Sequence, residues 1–412
     1  MRILLNDRAE KWVASLAQRA GKPTHKEAQV RRIIADVRRH GDAALRRYGR
    51  QWDQLGNRTL CLSTAEMRRA FESAPAALIA NLETAATNIR QFAQWQMPAE
   101  WVRKHNGITT GQLVRPLASV GCYVPGGRYP LLSTMLMTVI PAQIAGVPRI
   151  CVASPNPKPA LLATAHLLGV PEFYCLGGAQ AIAALAYGTK SIPRVDKIVG
   201  PGNVYVTIAK KLVAFDCAID MLAGPTESVI VTHHGNPKWI AADLVAQAEH
   251  DPDTLPIAIT GSQRLAEEIL AELRSAAQSN PVAQQALRKS GCILIAGSRA
   301  QAMRWANALA PEHITVEKQD VNAIVSAGSV FVGDYSPQAA GDYTSGPNHV
   351  LPTAGAARFR GGLSVLDFVK LVTVQELTKP GLRKIAPVIT SLAEGEGLVA
   401  HAESIRVRFQ HA

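Results

Sequence analysis

Apolar positions along this chain change period twice. Up to about residue 105 they recur three and four apart, over 8–19, 26–40, 42–52 and two segments between 64 and 97, which predicts successive amphipathic helices. From 107 to 120 the pattern turns extended. Beyond it, short apolar blocks alternate with helical ones: strands at 150–153, 173–176 and 197–199 are separated by helices over 159–168 and 179–187, with another helix after Asn203. Alternation on this scale predicts a parallel sheet covered by helices on both faces. A second such run opens with a strand at 228–232 and a helix to about His250 that starts on Asn236-Pro237. Strands at 256–260, 292–296, 313–317 and 329–332 follow, with helices at 263–278, 299–309 and 321–326. After Pro352 the pattern is helical again, from Pro380 through Leu392 towards His401. The fold class is therefore α/β, with two such domains breaking near Ala223-Gly224-Pro225, a helical N-terminal region and a helical tail.

Glycines stand where the strands end. Gly177-Gly178 precedes Gln180, and Gly200-Pro201-Gly202 precedes Asn203. An open α/β sheet binds ligands outside the carboxyl ends of its strands, where helix amino termini also aim their N–H groups. No Gly-x-Gly-x-x-Gly occurs, and glycine suits any strand-to-helix corner, so these turns mark an edge without naming its ligand. A different irregularity follows the last strand, which is expected to be buried. Between Gly333 and Pro352 three glycines and three prolines interrupt regular structure, while Phe331, Tyr335 and Tyr343 argue for order. An ordered loop of that length is usually functional, and this one holds Asp334, Asp342 and His349.

Composition narrows the classes. A chain of 412 residues, 47% of them hydrophobic, exceeds one ordinary core and is globular. The longest apolar candidate, 131–147, is broken by Ser133, Thr134, Thr138, Pro141 and Gln143 and falls short of the roughly 18 uninterrupted residues of a membrane span. The N-terminal apolar run is too short for a secretory signal, so a cytoplasmic address with no membrane partner is expected. Six scattered cysteines without a Cys-x-x-Cys pair are expected to be buried thiols in a reducing compartment. The net charge of +12 is concentrated in Arg31-Arg32, Arg38-Arg39, Arg46-Arg47 and Arg68-Arg69, beside Glu27, Asp36 and Asp42. Without a stacking platform or a nucleic-acid motif, that pattern is a solvated mixed-charge helix face, and no nucleic-acid partner is expected.

Chemistry concentrates in a few places. Gln247 and His250 stand three apart in the last turn of a helix, where two donors can converge on a metal; the helix dipole accounts equally well for a histidine there. Glu312-His313, just after Ala310-Pro311, suits acid–base work. Strand neighbours point to opposite faces, so the two can share a site only at an irregular strand end, which Pro311 favours. Glu396 and His401 complete the candidates, in the tail.

Seven segments carry a resemblance to the histidinol dehydrogenase family: Val120-Gly-Cys-Tyr-Val-Pro-Gly-Gly127, Gly177-Gly-Ala-Gln-Ala-Ile-Ala-Ala-Leu-Ala-Tyr-Gly188, Gly200-Pro-Gly-Asn203, Asp220-Met-Leu-Ala-Gly-Pro-Thr-Glu227, Gln247-Ala-Glu-His-Asp-Pro252, Pro311-Glu-His313 and Gly341-Asp-Tyr-Thr-Ser-Gly-Pro-Asn-His-Val-Leu-Pro-Thr353. The likeness extends from about 24 to 408. It implies oxidation of L-histidinol through L-histidinal to L-histidine, the last steps of histidine biosynthesis, with two NAD molecules reduced in succession and one zinc ion per subunit. It also implies a homodimer with intertwined, domain-swapped tails. By the same resemblance Gln247, His250, Asp342 and His401 hold zinc, His401 being lent across the subunit interface. His313 is then the general base and Glu312 the group that activates water. Ser133, Thr226, His349 and Glu396 contact substrate together with Gln247, His250, His313, Asp342 and His401, while Tyr123, Gln180 and Asn203 contact NAD.

The fold so implied is two Rossmann-like α/β domains with a helical N-terminal region and a helical C-terminal tail. Its parts are an N-terminal helical extension over 1–22, a first domain over 23–122 and 226–363 with the zinc and acid–base residues, a second over 123–225 that binds NAD, and a tail over 364–412 that reaches the partner's site. Two places depart from the family. Arg360-Gly-Gly-Leu-Ser364 stands where Ser-Ser-Gly-Leu-Ser is frequent, and Arg128-Tyr129 where small residues are. An added arginine suits an anionic substrate. The second reading is therefore a related zinc- and NAD-dependent dehydrogenase of another polar alcohol, such as a sulfonated diol. A third, of another class, is a catalytically silent basic binding module.

Overall fold

The computed structural model describes residues 1–18, 26–126 and 131–410, so Arg128 and Tyr129 lie outside the described residues. In chain order its strands are β1 (Arg2–Leu5), β2 (Cys61–Leu62), β3 (Trp101–His105), β4 (Ile108–Pro116), β5 (Ser119–Tyr123), β6 (Arg149–Ala153), β7 (Glu172–Tyr174), β8 (Lys197–Val199), β9 (Ala218–Ile219), β10 (Glu227–Val231), β11 (Leu255–Thr260), β12 (Cys292–Ile295), β13 (His313–Val316), β14 (Ser329–Val332) and β15 (Val369–Leu377). The chain divides into two compact units, one of Met1–Gln96 with Leu117–Phe368, the other of Met97–Pro116 with Val369–Ala412.

The larger unit holds two six-stranded sheets built on one plan. β5 to β9 run parallel in the order β7-β6-β5-β8-β9, and β10 to β14 run parallel in the order β12-β11-β10-β13-β14. In each the first strand is central, two follow to one side and two to the other, which is the doubly wound arrangement. The chain thus passes from one sheet to the other between β9 and β10, at residues 223–225, although both sheets belong to one compact unit. Each sheet gains an edge strand from the N-terminal region: β2 pairs antiparallel with β7, and β1 parallel with β12.

Parallel strands are buried on both faces, and these are short apolar runs accordingly. Every residue of β10 and β11 is buried. Alternate residues serve opposite layers: Val229, Val231, Ile257, Ile259 and Ile314 join Val13 and Trp305 on one face, while Ile230, Ala258 and Ile293 join Leu244 and Ile269 on the other. Each large aliphatic side chain so placed contributes roughly 1.5–3 kcal/mol.

The N-terminal elements are distributed differently from the expected partition. Residues 1–22 are expected as a helical extension, but they supply β1 and the helix Asn6–Ala17, which packs into the core layer of β10–β14; Trp305 Nε1 donates to Glu10 across that contact at 2.6 Å. The helices Glu27–His40 and Asp42–Trp52, expected in the domain of β10–β14, pack instead on the helices Gly178–Tyr187 and Val204–Val213 of the other sheet. An amphipathic period shows that a helix covers something and leaves open which sheet it covers. The mixed-charge face appears as expected, with Arg31 paired to Glu27 and Arg47 to Asp36.

Several local expectations are corrected. β14 is an edge strand with Val330 and Val332 exposed and only Phe331 buried. The irregular stretch after it contains a short helix, Gln338–Tyr343, and residues 318–323 form a 3-10 turn where 321–326 is predicted α-helical. The helix Pro281–Lys289 has no sequence expectation. Cys61 is an exposed thiol, while the other five cysteines are buried and free. No helix among the described residues is long and apolar enough to cross a membrane.

The smaller unit is an antiparallel sheet, β15-β4-β3, followed by the helices Lys379–Gly395 and Val399–Arg406. β15, unpredicted, pairs with β4 along its whole length. Leu371, Val372, Val374 and Leu377 on β15 are exposed, as are Val388, Leu392 and Val399 on the helices.

Candidate active site

The acid–base candidates meet at the amino edge of the β10–β14 sheet. The helix before β13 ends on Ala310 in the left-handed conformation, φ 46°, and Pro311 follows, so the strand starts on an irregular corner. From that corner Glu312 and His313 turn towards one another: Glu312 Oε2 lies 3.9 Å from His313 Nδ1. The same oxygen accepts from the backbone N–H of Glu227, at the start of β10, at 3.1 Å. Both side chains are buried. Burial pushes the Glu312 carboxyl up to about 7. Burial pulls the His313 imidazole down, but the Glu312 charge and the hydrogen bond to Asp342 outweigh it and hold the ring above its ordinary value.

Two further elements deliver polar groups to this edge. The helix Pro237–Ala248 returns along the sheet and ends with Gln247 buried in its last turn; the short helix after β14 carries Asp342. Gln247 Nε2 donates to Asp342 Oδ2 at 2.7 Å, and His313 Nε2 lies 3.2 Å from Asp342 Oδ1. Burial would raise the Asp342 carboxyl, yet the hydrogen bond and charge of His313, then the charge of His349 and the Gln247 amide, hold it below its ordinary value. An ionised carboxylate only accepts, so His313 donates through Nε2, and its other ring nitrogen is Nδ1. That atom is buried and has no hydrogen-bond partner among the described residues. The His313 ring stacks on Phe331 with centroids 5.9 Å apart, and Gly341 leaves room for Phe331, since a Cβ there would come within 2.6 Å of its ring.

His349 closes the cluster. Its Nδ1 donates to the Asp342 carbonyl at 2.8 Å and its Nε2 accepts from Thr134 Oγ1 at 3.0 Å. Burial holds the ring below its ordinary value, and the charge of His250, at the exposed end of its helix, acts in the same direction. An amide and a carboxylate thus meet at Gln247 and Asp342, with the His250 imidazole exposed three residues beyond Gln247. This donor set fits zinc, and the 2.7 Å approach of the buried Gln247 and Asp342 heads suits two ligands of one ion. Among the described residues no three or more His, Cys, Asp and Glu form a metal-holding group, a set of residue types to which Gln247 does not belong.

The predicted cofactor contacts lie at the carboxyl edge of the other sheet. Tyr123 ends β5, and its hydroxyl accepts from the Gly178 N–H at 3.1 Å. Gln180 is buried and its Nε2 donates to Asp53 Oδ2 at 3.0 Å; the Gly177 N–H reaches the same oxygen at 3.1 Å. Asp53 arrives from the end of a helix 124 residues earlier in the chain, so no local signal marks it. The next turn is held by a buried pair: Asp220 accepts from the Gly200 N–H at 2.7 Å, Lys210 donates to the Gly200 carbonyl at 2.9 Å, and the two charges pair. Gly200 has φ 111°, and a Cβ there would stand 2.1 Å from the Tyr123 carbonyl oxygen, so only glycine fits. Asn203 is exposed and caps the next helix, accepting from Tyr205 and Val206 N–H groups at 3.0 and 3.3 Å.

Of the remaining candidates, Ser133 is buried at the start of the helix Leu132–Ile144 and Thr226 is half-buried before β10. Glu396 and His401 are exposed in the smaller unit. Arg360 pairs with Asp367 at 3.4 Å, and Asp367 also holds Lys197 at 2.8 Å. Thr134, Asp53, Glu227 and the Lys210–Asp220 pair are the site residues that sequence reading misses.

Comparison with known proteins gives the family. The family model described as histidinol dehydrogenase matches residues 16–409. A histidinol dehydrogenase of Thermus thermophilus is 46% identical over 396 residues, covering 94% of this chain and 95% of its own length. One from Synechococcus is 42% identical over 402 residues, covering 94% and 93%. The crystal structure of histidinol dehydrogenase from Elizabethkingia anophelis superposes with a TM-score of 0.95 at 36% identity, covering all of this chain and 98% of its own. The chain belongs to the histidinol dehydrogenase family of oxidoreductases.

Proposed function

We propose that the chain oxidises L-histidinol through L-histidinal to L-histidine, reducing two NAD molecules in succession with one zinc ion per subunit. The observation that supports this most is the buried Glu312–His313 pair set against Asp342 and Gln247 at one sheet edge. His313 takes the hydroxyl proton as the adjacent C–H leaves as hydride to the nicotinamide. Glu312, once ionised, draws a proton from the water that adds to the aldehyde, and a second hydride leaves the hydrate to give the acid. Gln247, His250, Asp342 and His401 would hold zinc, which would supply an anchor for the substrate's imidazole and amine and so fix the reacting carbon. Ser133, Thr226, His349 and Glu396 line the substrate, the Glu396 carboxylate suiting its amine. Tyr123, Gln180 and Asn203 hold NAD. Keeping the aldehyde within a buried cluster protects it from escape.

The exposed apolar surfaces of β15 and its following helices support a homodimer whose tails exchange, carrying His401 and Glu396 to the site. Five buried free thiols suit the cytoplasm. The pairing of Arg360 with Asp367 favours histidinol over a sulfonated diol, because the added arginine is already matched. Zinc-loaded protein given L-histidinol and NAD is expected to release two NADH per substrate, to stop with a chelator and to recover with zinc. Turnover of a sulfonated diol with histidinol inert would overturn the reading.

A further inference from the structure

The loop that carries His349 is fastened to the helix Leu132–Ile144 by a contact that has no part in the scheme above. That helix is buried at every residue from Ser133 to Ala142. A helical carbonyl normally accepts from the N–H four residues on. Residue 141 is a proline inside the helix and has no N–H, so the Met137 carbonyl lacks that bond. Met137 is fully buried, where an unmatched carbonyl is destabilising. Asn348 supplies the donor from outside the helix: its Nδ2 reaches the Met137 carbonyl oxygen at 2.5 Å.

The other end of the same amide acts within the loop. Asn348 Oδ1 accepts from the Val350 N–H at 2.9 Å, which turns the backbone around His349 and fixes which end of the amide meets the helix. His349 stands between these two residues. Its backbone N–H donates to Met137 Sδ at 3.1 Å, and its ring is held between Thr134 Oγ1 at 3.0 Å and the Asp342 carbonyl at 2.8 Å. Thr134 and Met137 are three residues apart and share a helix face, so one surface holds both the loop backbone and the ring. The position needs a donor at one end and an acceptor at the other. An aspartate has the shape of Asn348 but would set a carboxylate oxygen against the Met137 carbonyl.

We propose that Asn348 is a positioning residue for the substrate: anchored on the carbonyl that Pro141 frees, it sets where the His349 ring stands. The inference rests on the reading that His349 contacts the substrate. Two effects of the bond can be told apart. Matching the Met137 carbonyl is a contribution to stability, whereas holding the loop on the helix is a contribution to substrate affinity. A donor from within the helix would replace the first and leave the second lost.

The test is a cycle of Asn348→Ala, Pro141→Ala and the double variant, with Asn348→Asp and His349→Asn alongside. The zinc-loaded proteins are read by KM and kcat for L-histidinol, by thermal midpoint and by NADH fluorescence titration. Pro141→Ala supplies the helical N–H, and the carbonyl can accept both donors, so KM changes less than about twofold. Asn348→Ala is expected to lower the midpoint and to raise KM about tenfold, with kcat and the NADH Kd each within about twofold of wild type. Asn348→Asp, of the same shape, raises KM at least as far. In the double variant the midpoint loss due to Asn348→Ala shrinks while KM stays about tenfold high. A KM that recovers together with the midpoint makes Asn348 structural only and overturns the inference. An undiminished midpoint loss also overturns it, since Pro141 would then not be what frees the carbonyl. So does a wild-type KM in Asn348→Ala or Asn348→Asp when His349→Asn raises it. If His349→Asn leaves KM in place, or the wild type leaves L-histidinol unoxidised, the reading beneath the inference falls with it.

Discussion

The two six-stranded sheets share a topology and are used at opposite ends. In the β5–β9 sheet the candidate residues sit where strands finish and helices start: Tyr123, the Gly177-Gly178 turn and the Gly200 turn. In the β10–β14 sheet they sit where strands start and helices finish: Glu227 and His313 open β10 and β13, and Gln247 closes a helix. The electrostatics differ accordingly. Helix amino termini present N–H groups and partial positive charge, suited to the phosphates of a dinucleotide, whereas carboxyl termini present carbonyls and partial negative charge, suited to a metal cation and a protonated imidazole. One plan therefore supplies two edges of opposite character. They are tied together by Thr134 to His349 at 3.0 Å and by the Gly224 N–H to Thr353 Oγ1 at 2.6 Å.

The sharpest way to break this division is at His313. Replacing it with Asn removes the base and is expected to lower kcat about a thousandfold, with NADH binding unchanged by fluorescence titration. Weakened NADH binding would show that the edges are not separate. Glu312 adds a pH signature. Its carboxyl is pushed up to about 7 by burial, so it is protonated below that value and cannot accept a proton; turnover falls as the pH drops through about 7. In Glu312→Gln the inflection disappears along with most of the second oxidation, and its survival would assign it to another group.

The cofactor edge is expected to fail through stability instead. Lys210 and Asp220 are both buried, and Lys210→Met leaves Asp220 charged and unpaired beneath the Gly200 turn. Removing one partner of such a pair costs about 3–5 kcal/mol, which urea unfolding would read directly. A loss below about 1 kcal/mol would mean that the turn supports itself without the pair.

The same contrast explains what was legible beforehand. Alternating apolar blocks sufficed for β6, β7 and β8 of one sheet and β10 to β14 of the other, because parallel strands must be buried and need continuous apolar runs, while the two-residue strands β2 and β9 are too short to show a pattern. Glycines at strand ends marked the carboxyl edge where the candidate cofactor residues lie, since Gly200 tolerates no Cβ. The amino edge has no such marker: helical spacing, the Pro311 corner and the irregular loop single out Gln247, Glu312 and Asp342 one by one, only the family resemblance joins them in one site, and the short helix that aims Asp342 is hidden by Pro337 and Gly341. β1 and β15 escaped notice because their pairing is decided by distant partners, Cys292–Ile295 and Ile108–Pro116. Asp53 was invisible for the same reason, as it acts across 124 residues.

Asp53 also offers the finest test of the cofactor edge. Its two donors, the Gly177 N–H and Gln180 Nε2, reach the same oxygen, Oδ2. An alanine loses both bonds and frees the Gln180 amide to turn, so Asp53→Ala is expected to raise the KM for the dinucleotide about tenfold while kcat at saturation changes less than about twofold. Asparagine carries one amide oxygen that can accept both donors, so Asp53→Asn is expected to restore most of that KM. A role in folding alone would lower the active fraction in both variants and leave KM where it was. The two substitutions also part in stability. Burial raises the Asp53 carboxyl above its ordinary value of 3.8, against the opposing hydrogen bonds of Gly177 and Gln180. The folded state therefore binds a proton more tightly than the unfolded chain, and the wild type loses stability as the pH climbs through the folded value. Asp53→Asn has no charge to bury, so its thermal midpoint relative to wild type is expected to rise with pH from below 3.8 to neutrality. A midpoint difference that stays flat over that range would place the Asp53 carboxylate in water and detach it from the Gly177-Gly178 turn.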